Sequence, residues 1–150
     1  MQLSPHFTLD EFVRSSTAAA RGIANTPGPV HLANLRILAA HLEGVRALLG
    51  NPIPITSAYR SPALNQAVGG SATSDHANGL AADFTCPRFG SVVQVCEAIA
   101  ASRIDFDQLI FEQKPGGIEW VHLGFGPRMR RDVLSWSPSA RYVSGIKKLG

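Results

Sequence analysis

No apolar run in these 150 residues approaches the roughly 18–20 residues a membrane span requires, so no membrane insertion is expected. Cysteine is nearly absent. Cys86 and Cys96 are the only two, and their spacing is not that of a zinc-binding pair. The first twenty residues lack the basic start and apolar segment of a secretory signal; Asp10 and Glu11 fall where that segment would lie. Synthesis in the cytoplasm without a signal peptide is therefore expected, with any extracellular target reached by another route. That origin argues against a disulfide, and Cys96 reads as a small buried hydrophobe on a helix face. There are no internal repeats, and no zinc knuckle, Gly-rich phosphate loop or aromatic–basic repeat that would point to nucleic acid.

What is present suits one globular domain. Hydrophobic content is 45% and charged content 17%, and the length leaves no room for a second module. The formal charge of +3 is unevenly spread. From Lys114 to Gly150 there are seven basic residues against two acidic ones; the remainder has seven basic and nine acidic. Such an end could hold an anionic polymer or could be an ordinary solvated surface.

Along the chain, Thr8-Leu9-Asp10-Glu11 has the form of a capping box opening a short helix. Residues 30–49 form the clearest helix, with Leu32, Leu35, Ala39, Leu42, Val45 and Leu49 at helical spacing before Gly50. Its His31 and His41, like His6, read as surface or helix-edge residues. A strand is expected over 53–59, a short helix capped by Ser61 through Val68, and a flexible loop over 69–74. Ser91 caps a second amphipathic helix. Residues 108–112 and 118–125 read as paired strands joined through Lys114-Pro115-Gly116-Gly117, and 133–136 as an edge strand. The pattern leaves the basic tail over 137–150 free to move. The fold class is α+β, a small central antiparallel sheet flanked by helices.

His76, Asp83 and His122 carry the chemistry. Two imidazoles and one carboxylate can hold zinc and leave a fourth position open for water. On a continuous helix His76 and Asp83 would stand about 10 Å apart, and further still on one strand, so the chain must bend between them. Asn78-Gly79 is the turn available, with 80–84 as a short buried strand delivering Asp83. Glu119, three residues before His122, is the candidate proton acceptor. Residues three apart in a strand point to opposite faces, so this role demands irregular backbone near Gly116-Gly117.

Ser57-Ala58-Tyr59-Arg60-Ser61-Pro62, Ser74-Asp75-His76-Ala77-Asn78-Gly79-Leu80-Ala81-Ala82-Asp83 and Glu119-Trp120-Val121-His122 resemble, in order, the three motifs of the zinc D-Ala-D-Ala peptidases. That superfamily includes DD-carboxypeptidases, vancomycin-resistance dipeptidases, phage endolysins and the hedgehog signalling domain. Residues 1–50 resemble the small phage and prophage members. The resemblance implies one zinc ion per chain on His76, Asp83 and His122, with Glu119 as general base. It also implies that Arg60 polarises the scissile carbonyl or stabilises its oxyanion, and that Ser74 binds substrate or steadies the loop. Read alone, Arg60 would be a surface ion pair; a fixed cation beside zinc suits a developing oxyanion. Asp75 departs from the uncharged residue many members carry there, and is expected to face solvent.

These readings predict a monomeric zinc metallopeptidase that cuts peptidoglycan stem or cross-link peptides at or next to D-Ala, acting on the wall as an endolysin. A zinc-stabilised binding domain of hedgehog type and a virion component with wall-degrading ability are the alternatives.

Overall fold

Leu35, Leu38, Leu42, Val45 and Leu49 recur every three or four residues and are all buried, which makes one face of a long helix the floor of the core. A computed structural model describes all residues, 1–150. A two-stranded ribbon, β1 (Gln2–Ser4) and β2 (Phe7–Thr8), precedes helices α1 (Leu9–Val13), α2 (Ser16–Arg21) and α3 (Pro29–Leu49). Then follow β3 (Ile55–Ser57), α4 (Pro62–Ala67), α5 (Asp75–Asn78), β4 (Ala81–Phe84) and α6 (Val92–Ala101). Four strands complete the chain: β5 (Gln108–Lys114), β6 (Ile118–Gly124), β7 (Asp132–Ser137) and β8 (Arg141–Ser144).

Local chemistry explains the boundaries. Thr8 caps α1 by accepting from the Glu11 amide, Ser61 caps α4, and Ser91 with Gln94 forms a reciprocal capping box on α6. Gly50 closes α3 in the left-handed conformation, at φ 64°.

The main sheet has six strands in the order β3-β4-β6-β5-β7-β8. Every neighbouring pair is antiparallel except β5 and β7, so the sheet is mixed within the expected α+β class. The parallel pair arises because the chain leaves β6, passes the start of β5 and enters β7 on its far side. The Asp107 carboxylate takes hydrogen bonds from the Arg130 amide and guanidinium at 2.8–3.0 Å, fastening that crossing. Arg131 donates to the carbonyls of Ala100, Ser102 and Ile104, supplying partners to the end of α6.

One sheet face meets the helices. Ala82, Phe84, Leu109, Phe111, Val121 and Leu123 point there and join the core with α3 and α6. The opposite face is left to the groove described below.

Two expectations about the end of the chain are corrected. β7 is interior, because β8 pairs outside it. The tail is fastened across the core-facing side of the sheet. Ser135 accepts from the Lys147 amide and donates to the Gly145 carbonyl, both at 2.8 Å. Gln113 bonds the Lys147 carbonyl and the Leu149 amide, and Lys148 pairs with Glu119. Much of the basic excess is thereby committed internally: Arg130 to Asp107, Arg131 to α6, Lys148 to Glu119.

Candidate metal centre

Ser74 begins the site. Its hydroxyl accepts from the His76 amide at 3.2 Å and caps α5, a single turn that Gly79 ends at φ 75°. A Cβ at Gly79 would stand 3.1 Å from the His31 carbonyl oxygen, so the turn needs glycine for its close approach to α3 as well as its φ. The chain then reverses into β4. His76 and Asp83 face each other across that turn, as the Asn78-Gly79 bend requires.

β4 and β6 pair with Asp83 directly opposite His122. Asp83 Oδ1 lies 3.1 Å from His76 Nε2 and 3.0 Å from His122 Nδ1. The three potential ligand atoms fall within 4.8 Å of one another, and all three residues are buried. The Ala58 carbonyl accepts from His76 Nδ1 at 2.7 Å. A carbonyl can only accept, so Nδ1 carries the proton and Nε2 turns its lone pair toward Asp83. A backbone acceptor behind the ring is how a metal-binding histidine is commonly held.

Electrostatics couples the trio. Burial disfavours charge on Asp83, but His76 and His122 outweigh it and hold the carboxyl well below the usual carboxylate range. Burial lowers the pKa of His76 despite Asp83. At His122 burial is outweighed by the hydrogen bond and charge of Asp83, so its pKa rises. Two imidazole nitrogens and one carboxylate oxygen, convergent and with the His76 ring held from behind by Ala58, fit a tetrahedral cation such as zinc.

Arg60 lies against the same carboxylate from the other side. It donates to Asp83 Oδ2 at 3.3 Å, to Ser57 Oγ at 3.2 Å and to Asn65 Oδ1 at 3.4 Å. Buried Asn65 in turn holds the 69–74 loop through the Ser71 carbonyl. A Cβ at Gly70 would come 2.1 Å from Asn65 Oδ1, so a side chain there would displace the amide that holds Arg60. Arg60 is thus fixed beside the ligand cluster and lines the groove.

Glu119 is elsewhere. β6 is regular from Ile118 to Gly124, with Gly116 and Gly117 confined to the turn before it. The backbone irregularity that would bring Glu119 to the His122 face does not occur. Alternation sends Glu119 to the core-facing side with Val121 and Leu123, where Lys148 pairs with it.

A different carboxylate occupies the metal-facing side. β5 pairs with β6 so that Ile110 opposes His122 and Glu112 opposes Trp120. Glu112 is therefore the diagonal cross-strand neighbour of His122, about 7–8 Å away between backbones and within reach of a long side chain. Burial pushes the Glu112 pKa up, against the pull of His122. The Trp120 indole N–H beside it is buried with no acceptor in hydrogen-bond geometry. The signal for Glu112 was in the sequence: a hairpin turning at 115–117 places residues 112 and 120 opposite each other, on the face of His122.

These groups open on a groove of about 850 Å³, running between the 68–74 loop and the 126–130 segment and on over β5, β7 and β8. Asp75 also lines it. Rather than facing solvent freely, its carboxylate lies where Cβ atoms on Gly124 and Gly126 would come within 3.0–3.1 Å. Burial and neighbouring Asp107 raise its pKa. His6, His31 and His41 are remote from the cluster: His6 pairs with Glu43, His31 approaches Tyr59, and His41 stacks on Phe125. Both cysteines are buried free thiols. No helix is long and apolar enough to cross a membrane.

The sequence model of the family described as Peptidase M15 matches residues 5–123, which includes every residue of the cluster, Arg60 and Glu112. No curated protein matches the chain.

Proposed function

The chain belongs to the peptidase M15 family and is a metallopeptidase, and from this premise we propose that it hydrolyses peptidoglycan stem or cross-link peptides at or next to D-Ala, with zinc on His76, Asp83 and His122. The observation that carries the reading is a buried ligand cluster and a half-buried carboxylate, Glu112, on one sheet face at the floor of an open groove.

Zinc, when bound, would supply Lewis acidity that makes water a nucleophile near neutral pH. Glu112 is the group placed to take a proton from an attacking water and return it to the leaving amine. Burial raises its pKa, the direction that makes a carboxylate a stronger base. Arg60 holds the Asp83 carboxylate and presents fixed positive charge to the groove, where an oxyanion would develop. Ala58 keeps His76 in the ligating tautomer, and Ser74 steadies the turn that carries it.

The long groove favours a polymeric wall peptide over a free dipeptide, which supports an endopeptidase of lytic type. A purely zinc-stabilised binding domain has no need of a half-buried carboxylate without an ion pair beside its metal ligands, and Glu112 weighs against that alternative. The test is incubation of zinc-loaded protein with cross-linked muropeptides, with and without chelator, read by mass spectrometry. Chelator-sensitive cleavage at or next to D-Ala is expected. Unchanged muropeptides from a protein with zinc bound would overturn the proposal.

A further inference from the structure

Residues 132–144 lie beyond the stretch matched by the family model, yet they build one end of the groove. The β5–β7 register sets Glu112 beside Trp136, and the β7–β8 register sets Trp136 beside Tyr142. Trp120, Glu112, Trp136 and Tyr142 thus form one row across four strands on the metal-facing side. Strand spacing of about 4.8 Å puts Tyr142 two steps from the strand that carries Glu112 and three steps, about 14 Å, from the strand that carries His122. Extended peptide advances about 3.3 Å per residue, so a substrate cut at the metal cluster and laid along this row reaches Tyr142 about four residues from its scissile bond.

Arg141 precedes Tyr142 on the same strand. Its guanidinium lies 5.9 Å from the Trp136 ring centroid. It is exposed and has no ion pair, whereas Arg60, Arg130 and Lys148 each have an acidic partner. Its backbone sits at φ 61°, a conformation costly for any residue with a Cβ, in a hairpin position where glycine would be easier. Tyr142, 59% exposed beside it, offers an uncovered ring on the same face. A free cation over an aromatic floor, continuous with the reaction site, is complementary to a carboxylate carried on a planar peptide backbone.

We propose that Trp136, Arg141 and Tyr142 form a specificity subsite that binds a free carboxylate on the wall peptide about four residues from the bond cut. This rests on the peptidase reading above. Arg141 would select anionic stem peptides over those whose corresponding carboxylate is amidated, acting on binding and leaving the chemical step unchanged.

The experiment uses zinc-loaded full-length protein and two non-cleavable stem peptides, with the scissile amide replaced by a methylene amine. One carries a free glutamyl α-carboxylate and the other its carboxamide. Calorimetry should show the carboxylate form bound about fivefold more tightly, the scale of an exposed charge pair. The preference should shrink as salt is raised, vanish in Arg141→Gln and persist in Arg141→Lys. Equal affinity for both peptides in the parent, a preference that survives Arg141→Gln, or no binding of either peptide would overturn the inference. Cleavable versions of the same peptides separate the two claims. Preferential binding without turnover would remove the peptidase reading alone, and turnover without preference would remove the subsite alone.

Discussion

Glu112 and Glu119 sit on the same hairpin, on adjacent strands and opposite faces of one sheet, and the contrast between them separates what holds this protein together from what it does. Glu119 points to the core-facing side and is neutralised by Lys148, at the place where the tail crosses the sheet. Glu112 points to the groove, is half-buried, and has no ion-pair partner. A carboxylate kept in that condition costs stability, because its charged form loses hydration without full compensation. Proteins hold such groups where chemistry needs them. The core-facing side shows the opposite economy: Ser135, Gln113 and Glu119 all find partners in the tail.

The comparison can be broken first at the ligands. His122→Ala removes one of three donors and leaves Asp83 without half of the pairing that favours its charge. Zinc content and activity should both be lost, with zinc read by atomic absorption; retained zinc would mean that the ligand set is wrong. Next comes Arg60→Ala, which leaves the zinc ligands in place. A fall in kcat of about 10²–10³, the size associated with losing an oxyanion-stabilising group, is expected with an unchanged circular dichroism spectrum. Parent-like turnover would confine Arg60 to holding Asp83.

A smaller effect belongs to the crossing between β6 and β7. Hydrogen bonds from Arg130 hold Asp107 below its ordinary carboxylate pKa. A carboxyl whose pKa is depressed by folding contributes stability above its unfolded value of about 3.9 and loses it as pH falls through the folded value. Asp107→Asn should therefore lower Tm at pH 7 and bring the variant and the parent together in strong acid. A Tm difference that stays constant down to low pH would show that the ion pair is not its source.

Much of this was readable from residue order alone. The spacing of Leu35, Leu42, Val45 and Leu49 gave α3 to within a residue, because the helix buries one complete stripe. The bend at Gly79 followed from the need to bring His76 back to Asp83, and the turn there has the left-handed glycine that reversal requires. The hairpin around Gly116-Gly117 was also legible. Nearness along the chain misled about geometry: Glu119 is three residues from His122 and on the opposite face, while Glu112 is ten away and on the same one. The parallel pairing of β5 with β7 and the fastening of the tail left no periodic trace. They depend on single side chains, Asp107, Gln113 and Ser135, meeting backbone groups far along the chain. β8 went unseen for a similar reason, since its four residues are largely exposed and carry no buried alternation.

The most direct measurement compares zinc-loaded Glu112→Gln with zinc-loaded Glu119→Gln on one muropeptide substrate, with metal content determined for both. Glu112→Gln should keep its zinc and lose activity by about 10²–10⁴, the usual worth of a positioned general base. Glu119→Gln should turn over like the parent and lose at most about 1 kcal/mol of stability, as expected for a partly exposed ion pair. Parent-like turnover in Glu112→Gln, with activity lost instead in a zinc-replete Glu119→Gln, would contradict the account.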